Sequence, residues 1–446
     1  MRISQFMLIG ALSLLAGPVL ADAARLSDYA VEKSAAAQAG MLQPRSWSDP
    51  ALAPAVWRAA EQTPPAAAPW KAAARMAADK RDSIELLETA QTTLAWELIY
   101  RLSKDDGADS TVSPASLASA FAILAQGADA AMKAAIVKAL GFGAADTTKS
   151  VAALINARAT LAANNGGLFE SADRIVFAPD SAPSRGLAAR LKQLGVDFTA
   201  DDLSKPDAAA KIDAWVNEVT KGAIPEILGG PLDKASFVVL NALHFKGRWK
   251  TQFDPHLTAQ APFQSADGKS GEVAMMRLPK ASRAYRIEQN FIGVDLPFSN
   301  ERFSLVVVTT MDKPAPAGDF AAAKKWLSGA GFTERKGDLA LPRFKTSERS
   351  DLLPTLDALG LDKGRNSPTA LARFGQGTRL TRVVQRAMIE VDEEGAEAAA
   401  ATAVFGLRAV DDSLHMVVDK PFIFALRDRQ TGLILVAGYV GHAPSD

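Results

Sequence analysis

The sequence contains no cysteine. Disulfides, thiolate nucleophiles and cysteine-based zinc sites are therefore excluded, and so is a lipid anchor carried on an N-terminal cysteine. Histidine is nearly as scarce: His244, His256, His415 and His442 are the four present, which leaves few candidates for a metal site or a triad. Neither sign of charge dominates, with 50 Lys+Arg against 50 Asp+Glu. That balance gives no reason to expect nucleic acid or an anionic membrane surface as a partner. Beyond the N-terminus no apolar run is long enough for a transmembrane helix. GxSxG, HExxH, GxxxxGK[ST] and GxGxxG are all missing from the contexts they need, so no local motif supports an enzyme. A Ser-His-Asp triad assembled from distant positions has nothing local behind it. His244 lies inside an apolar run and reads as a core histidine.

What is present is ample apolar material: 48% of 446 residues, enough for one large domain or two to three ordinary ones. The N-terminus has the layout of an export signal, with Arg2, an apolar stretch from Met7 to Leu15, a break at Gly17-Pro18, and small residues ending at Ala21. The stretch is short for a bilayer anchor, so cleavage after Ala21 is expected, and with it a secreted or periplasmic protein. Residues 22–85 form an alanine- and proline-rich arm, with Pro44, Pro50, Pro54, Pro64, Pro65 and Pro69 favouring extended or turn conformations, and the arm is expected to be partly disordered. Trp47, Trp57 and Trp70 within it leave two readings open, a docking arm for a partner or a tail packed loosely on the domain.

Regular order is expected from near Ala90, where Leu94, Leu98 and Leu102 recur at helical spacing. Ser113-Pro114 is a helix start, because proline in the first turn removes a donor that has no partner there anyway. Ala131 to Leu140 and Ala208 to Val219 read as further helices, and Asp351 to Leu359 as a short one with Leu352, Leu353, Leu356 and Leu359 inward. The second half is different. Ser236 to Phe245 reads as a strand buried on both faces, Phe303 to Thr310 and Arg382 to Val391 as strands, and Phe422 to Arg427 with Leu433 to Val440 as a hairpin around Asp428 to Gly432. Helices first and strands later make an α+β pattern, not alternating βαβ units.

The stretch Glu393-Glu394-Gly395-Ala396-Glu397-Ala398-Ala399-Ala400-Ala401-Thr402-Ala403 is the most informative. Taken alone it is good helix material, alanine-rich with glutamates at its start. Its context is different: it directly follows one strand pattern and runs through Val404 to Ser413, with no helical face, into another. Side chains without bulk can slide between two strands of an existing sheet, and Gly395 supplies the bend.

This stretch resembles the reactive-loop hinge of inhibitory serpins, Glu-x-Gly-x-Glu followed by alanines. Further landmarks agree in order: Ser113-Pro114-Ala115-Ser116, Trp215-Val216 with Thr220-Lys221-Gly222, and Asn241 to Trp249 (NALHFKGRW). Leu296-Pro297-Phe298, Leu341-Pro342-Arg343-Phe344, Lys420 to Phe424 and Gly438-Tyr439-Val440 follow. The resemblance covers about residues 90–444, and the chain is identified as similar to an inhibitory, bacterial-type secreted serpin.

The resemblance implies a serpin fold of three β-sheets with eight or nine helices and an exposed reactive-centre loop, about 393–416, on a domain from 86 to 446. It implies a metastable, monomeric inhibitor with no cofactor. Such an inhibitor traps a serine protease as a covalent acyl-enzyme when the cleaved loop inserts into the central sheet. Glu393 and Gly395 would begin the hinge, Ala396 would enter the sheet first, Glu397 would stay outside, and Ala398, Ala399, Ala400, Ala401 and Thr402 would follow. The family's spacing puts the attacked bond at Ala409-Val410, suiting elastase-like enzymes, or at Arg408-Ala409, suiting trypsin-like ones; the bond after Val410 is a third position. Ser113, Ser116, Asn241, Gln385 and Trp249 fall in the region where the sheet opens. Gln385 departs from the family, which usually has histidine there. A glutamine amide can still donate and accept, with Ser113, Ser116 and Asn241 as expected neighbours. A non-inhibitory serpin and a cysteine-protease inhibitor on the same scaffold remain as alternatives.

Overall fold

The first helix among the described residues, α1 (Pro69–Ser103), begins well before Ala90 and inside the stretch expected to be an arm. Its start has a simple cause. Pro69 is the last proline before residue 114, and the segment after it is rich in Ala, Lys and Arg, all strong helix formers. The computed structural model describes residues 69–444, apart from 105–106, 164–168, 179–180, 182, 223, 229, 231, 233–236, 246, 376 and 394–412. The signal at 1–21, most of the arm, and the hinge and loop residues from Gly395 to Val410 therefore lie outside the described residues.

After β1 (Ser110–Val112) comes α2 (Pro114–Gly127), capped by Ser113, whose hydroxyl accepts the Ser116 N–H, with Pro114 in the first turn as expected. α2 is apolar nearly all round and buried on almost every side, which makes it the central helix of the core. α3 (Ala130–Ala139), α4 (Thr147–Ala163), α5 (Arg185–Gln193) and α6 (Ala208–Val219) complete the helical half, with β2 (Phe169–Phe177) and β3 (Asp197–Ala200) between them.

The strand-rich half contains β4 (Phe237–Phe245), β5 (Ala259–Gln264), β6 (Ser270–Glu288), β7 (Phe291–Pro297), β8 (Phe303–Thr310), β9 (Thr333–Pro342), β10 (Phe344–Asp351), β11 (Val384–Val391), β12 (Leu414–Val417), β13 (Phe422–Asp428) and β14 (Ile434–Val440). Two short helices, α7 (Leu353–Ala358) and α8 (Asp362–Arg365), follow β10. The β13–β14 hairpin turns at Gly432, whose φ of 71° is left-handed. The strands form three sheets: nine strands in the order β1-β14-β13-β8-β7-β6-β9-β12 with β5 on β6, three in the order β3-β2-β4, and the pair β10-β11.

β4 is covered on both faces, as its apolar sequence predicts. Phe237 and Val239 pack into the main core, whereas Val238 and Leu240 pack into a second cluster with Ile212 and Val216 of α6. The alternation is that of a strand sandwiched between two layers of helix.

Candidate functional site: a slot between two strand edges

β4 pairs with β2 along one edge, Phe237 to Phe245 against Phe177 to Phe169. β11 pairs with β10 along one edge, Val384 to Val391 against Asp351 to Phe344. Among the described residues no ladder joins β4 to β11. Between their other edges lies a cavity of about 230 Å³, floored by Leu117, Phe121 and Leu124 of α2 and walled by Val238–Leu240 and Val384–Gln385. Unpaired strand edges are a template for another strand, and here two of them flank one apolar slot.

At the N-terminal end of β11 the slot is held from below. The Gln385 side chain accepts the Ser113 N–H through Oε1 (2.8 Å) and donates from Nε2 to the Ser113 carbonyl (2.9 Å). The Ser113 hydroxyl in turn donates to the Leu435 carbonyl (2.5 Å) and stands 2.8 Å from the Ser116 hydroxyl. One amide thus satisfies both backbone groups of a buried residue, tying β11 to the cap of α2 and not to β4. Histidine, the residue the family usually places here, has one nitrogen on each side of its ring and cannot present donor and acceptor side by side in this way. Gln385→Leu strands the Ser113 N–H in the core, while the Ser113 carbonyl keeps the Leu117 N–H, so its chemical unfolding midpoint should fall by the equivalent of about 2 kcal/mol. A midpoint equal to that of the unmodified protein would mean the amide adds nothing.

Roughly 26 Å away along β11, at about 3.3 Å per residue, the strand ends in a second cluster. The Trp249 indole donates to the Asp392 carbonyl at 2.9 Å. Its ring stacks on Phe298, with centroids 4.5 Å apart, and meets Phe253 edge-on. Trp249 follows β4, so this bond spans from the β4 side of the slot to the β11 side. Glu393, only 5% exposed, accepts from Nε and Nη2 of Arg343 (2.9–3.2 Å) and from the Thr258 hydroxyl (2.6 Å). Burial pushes its carboxyl up, but the bonds from Arg343 and Thr258 outweigh that, and its pKa settles below the usual glutamate value.

A third device crosses the outer face. The segment after α6 packs through Ile224, Ile227 and Leu228 on the β2–β4 side. Arg349 of β10 donates to the Leu228 carbonyl (2.7 Å), and Arg386 of β11 to the Glu226 carbonyl (3.1 Å). The segment is therefore a strap with one end on each half-sheet.

Of the residues expected in the opening region, Ser113, Ser116 and Gln385 come together under β11. Trp249 joins Glu393 at the other end of the slot. Asn241 lies in β4 with its backbone opposite Asp173, on the edge away from β11, and its side chain is outside the described residues. The sequence reading gave no role to Thr258, Arg343, Arg349 or Arg386. Arg343 stood in the quoted Leu-Pro-Arg-Phe motif, and its charge opposite that of Glu393 was the one signal available.

Residues 89–442 match the family described as Serpin (serine protease inhibitor). The chain is 31% identical over 409 residues to Serpin-ZXA of Oryza sativa subsp. japonica, spanning 82% of this chain and 98% of that protein. It is 30% identical over 383 residues to the leukocyte elastase inhibitor of Sus scrofa, spanning 80% and 99%. The thermophilic serpin tengpin in its native state aligns with a TM-score of 0.67 at 22% identity, over 80% of this chain and 94% of tengpin. Human thyroxine-binding globulin aligns at 0.70 and 21%, over 81% and 100%. The chain belongs to the serpin family and has its fold. The two relatives matched by sequence come from a plant and an animal, and the bacterial-type qualifier finds no support in them. The fold itself is shared with a thyroxine-binding protein, so inhibition has to be argued from the site.

Proposed function

We propose that this protein is a suicide inhibitor of serine proteases that works outside the cytoplasm, secreted or periplasmic, after loss of residues 1–21. The observation that carries this reading is the slot: two strand edges face each other without a ladder between them, and the chain leaving the end of β11 at Glu393 continues into the small-residue hinge. A segment that turns back at Gly395 runs antiparallel to β11 and meets the slot from its Trp249 end. Strand alternation then points Ala396, Ala398, Ala400 and Thr402 toward the Leu117–Phe121 floor and leaves Glu397, Ala399 and Ala401 outside. No side chain in either set is too bulky for the slot, and the charged Glu397 remains in water.

In the proposed reaction the protease serine oxygen attacks the carbonyl carbon of Ala409, or of Arg408 one residue earlier. An acyl ester forms and the amine of the next residue leaves as a new N-terminus. The freed hinge inserts before water can attack the ester, and the monomeric inhibitor carries the protease with it in a covalent complex. The leukocyte elastase inhibitor among the relatives supports a protease with a small pocket as the first target to try.

The test is incubation with a panel of elastase-like and trypsin-like serine proteases, read by denaturing gel and mass spectrometry. The expected result is an SDS-stable complex and a released peptide beginning at Val410 or Ala409. Complete loop cleavage with the protease left active across the panel would overturn the inhibitory reading.

A further inference from the structure

The ladder between β6 and β9 carries positive charge that its own residues do not neutralise. From Pro279 to Ala284 of β6 and from Thr333 to Gly337 of β9 there are four cations, Lys280, Arg283, Arg335 and Lys336, against one carboxylate, Glu334. The register adds to the crowding, because Arg283 lies directly opposite Arg335 and like charges so placed repel. The Arg283 guanidinium donates to the Gly337 and Pro279 carbonyls (2.9 Å each), which fixes it without cancelling its charge. Glu334 accepts from the Ser282 hydroxyl (2.7 Å). Arg335 and Lys336 are exposed, and among the described residues neither is paired with a carboxylate. Cations elsewhere on the surface behave differently: Lys211 sits on Asp207, Lys250 on Glu301 and Lys345 on Glu390.

The position of this ladder gives the excess charge a use. β12 pairs parallel to β9, with Leu414 opposite Gly337. The N-terminal end of β12 therefore lies beside the Lys336 end of that pairing. Val410 is four residues before Leu414. Even fully extended, that is about 13 Å of chain at 3.3 Å per residue. A folded protease of about 220 residues has a radius of gyration of roughly 17 Å. One engaged at Ala409-Val410 or Arg408-Ala409 brings its rim over the ladder.

We propose, building on the reading of this protein as a protease trap, that the β6–β9 ladder steers and docks the target, so that the protein selects proteases with an acidic rim around the active site. A cluster of like charges beside the point of attack raises the encounter rate of an oppositely charged partner by about 10–10³-fold at low salt, and salt screens the effect. The gain falls on association, because charges at the rim of an interface act chiefly on the on-rate. Asp411 and Asp412 are the acids nearest in sequence to β12, and two carboxylates are fewer than the three charges in excess.

The test uses the full chain carrying Ala409→Arg, so that anionic and cationic trypsin, which share a specificity pocket and differ in surface charge, both find a basic residue at the reactive bond. The second-order rate constant for SDS-stable complex formation is measured with each enzyme at low and high sodium chloride. Anionic trypsin should be trapped at least tenfold faster at low salt, and the gap should close at high salt. Arg335→Glu/Lys336→Glu should slow anionic trypsin tenfold or more, while Lys149→Glu, exposed on α4, should leave both rates unchanged. No complex with either enzyme would overturn the trapping reading and this proposal with it. Complexes formed at equal rates, or a gap that survives Arg335→Glu/Lys336→Glu, would overturn this proposal alone. So would a gap that responds to Asp411→Asn/Asp412→Asn and not to the ladder, since the loop itself would then do the steering.

Discussion

Cutting the loop between Gly395 and Val410 with a protease that the protein does not trap should raise its melting temperature by on the order of 10–15 °C. Most proteins are weakened by a nick. Under the proposed mechanism the nick would free the hinge segment to enter between two strand edges that share no ladder, and a strand placed there would bond to both. About ten new ladder bonds at about 1 kcal/mol net each contribute on the order of 10 kcal/mol. The alanine side chains add little, so the ladder dominates. Unfolding entropy of about 2.1 cal/mol/K per residue, over roughly 350 ordered residues, is about 0.75 kcal/mol/K, and the ratio gives the shift. A thermal scan by circular dichroism, with cleavage verified by mass spectrometry, is sufficient. An unchanged melting temperature in fully cleaved protein would sink sheet insertion and with it the proposed trap.

The parts of this molecule that could be read in the sequence are those where local chemistry decides the outcome. Ser113-Pro114 starts α2 because cap and first-turn preferences act within four residues. Ser236 to Phe245 reads as a doubly covered strand because apolar residues fall on both of its faces and leave no clear face for water. α1 starts earlier than the arm boundary at residue 85 predicts, because the prolines that break helix end at Pro69 and the segment after it has none. The slot was invisible for a deeper reason. β4 and β11 look like ordinary interior strands, and nothing in an apolar run reveals that its neighbour is missing. The clamps at its ends join residues far apart in the chain: Gln385 with Ser113, Glu393 with Arg343, Trp249 with Asp392. Gln385 had a short roster of candidate neighbours only through the family resemblance. The strap over β10 and β11 uses backbone carbonyls, which carry no sequence signature at all.

Replacing Glu393 by lysine should give the largest loss of any single substitution at the slot. The carboxylate is buried and takes three side-chain bonds from Arg343 and one from Thr258. Glu393→Lys leaves Arg343 facing a second cation and buries a charge without a partner, an arrangement that costs about 3–5 kcal/mol in well-buried pairs. Arg343 is 39% exposed, so solvent screening puts the loss near the lower figure, about 3 kcal/mol. Pairing is the cause, so the swap Glu393→Lys/Arg343→Glu should recover much of it, whereas a purely packing effect would not be rescued. The pH dependence follows from the same bonds. The folded pKa lies below the ordinary value of about 4.3, so the stabilisation is complete above that pH and is lost as pH falls through the folded pKa. The stability gap between the unmodified protein and Glu393→Gln should therefore be widest above pH 5 and close as the solution is acidified below pH 4. With the anchor gone, the end of β11 is released beside an open strand edge, and self-association on warming should follow, visible on a native gel. If Glu393→Lys matched the unmodified protein in both melting and native-gel behaviour, Glu393 would be a bystander and the Trp249–Asp392 bond would have to hold that end of the slot alone.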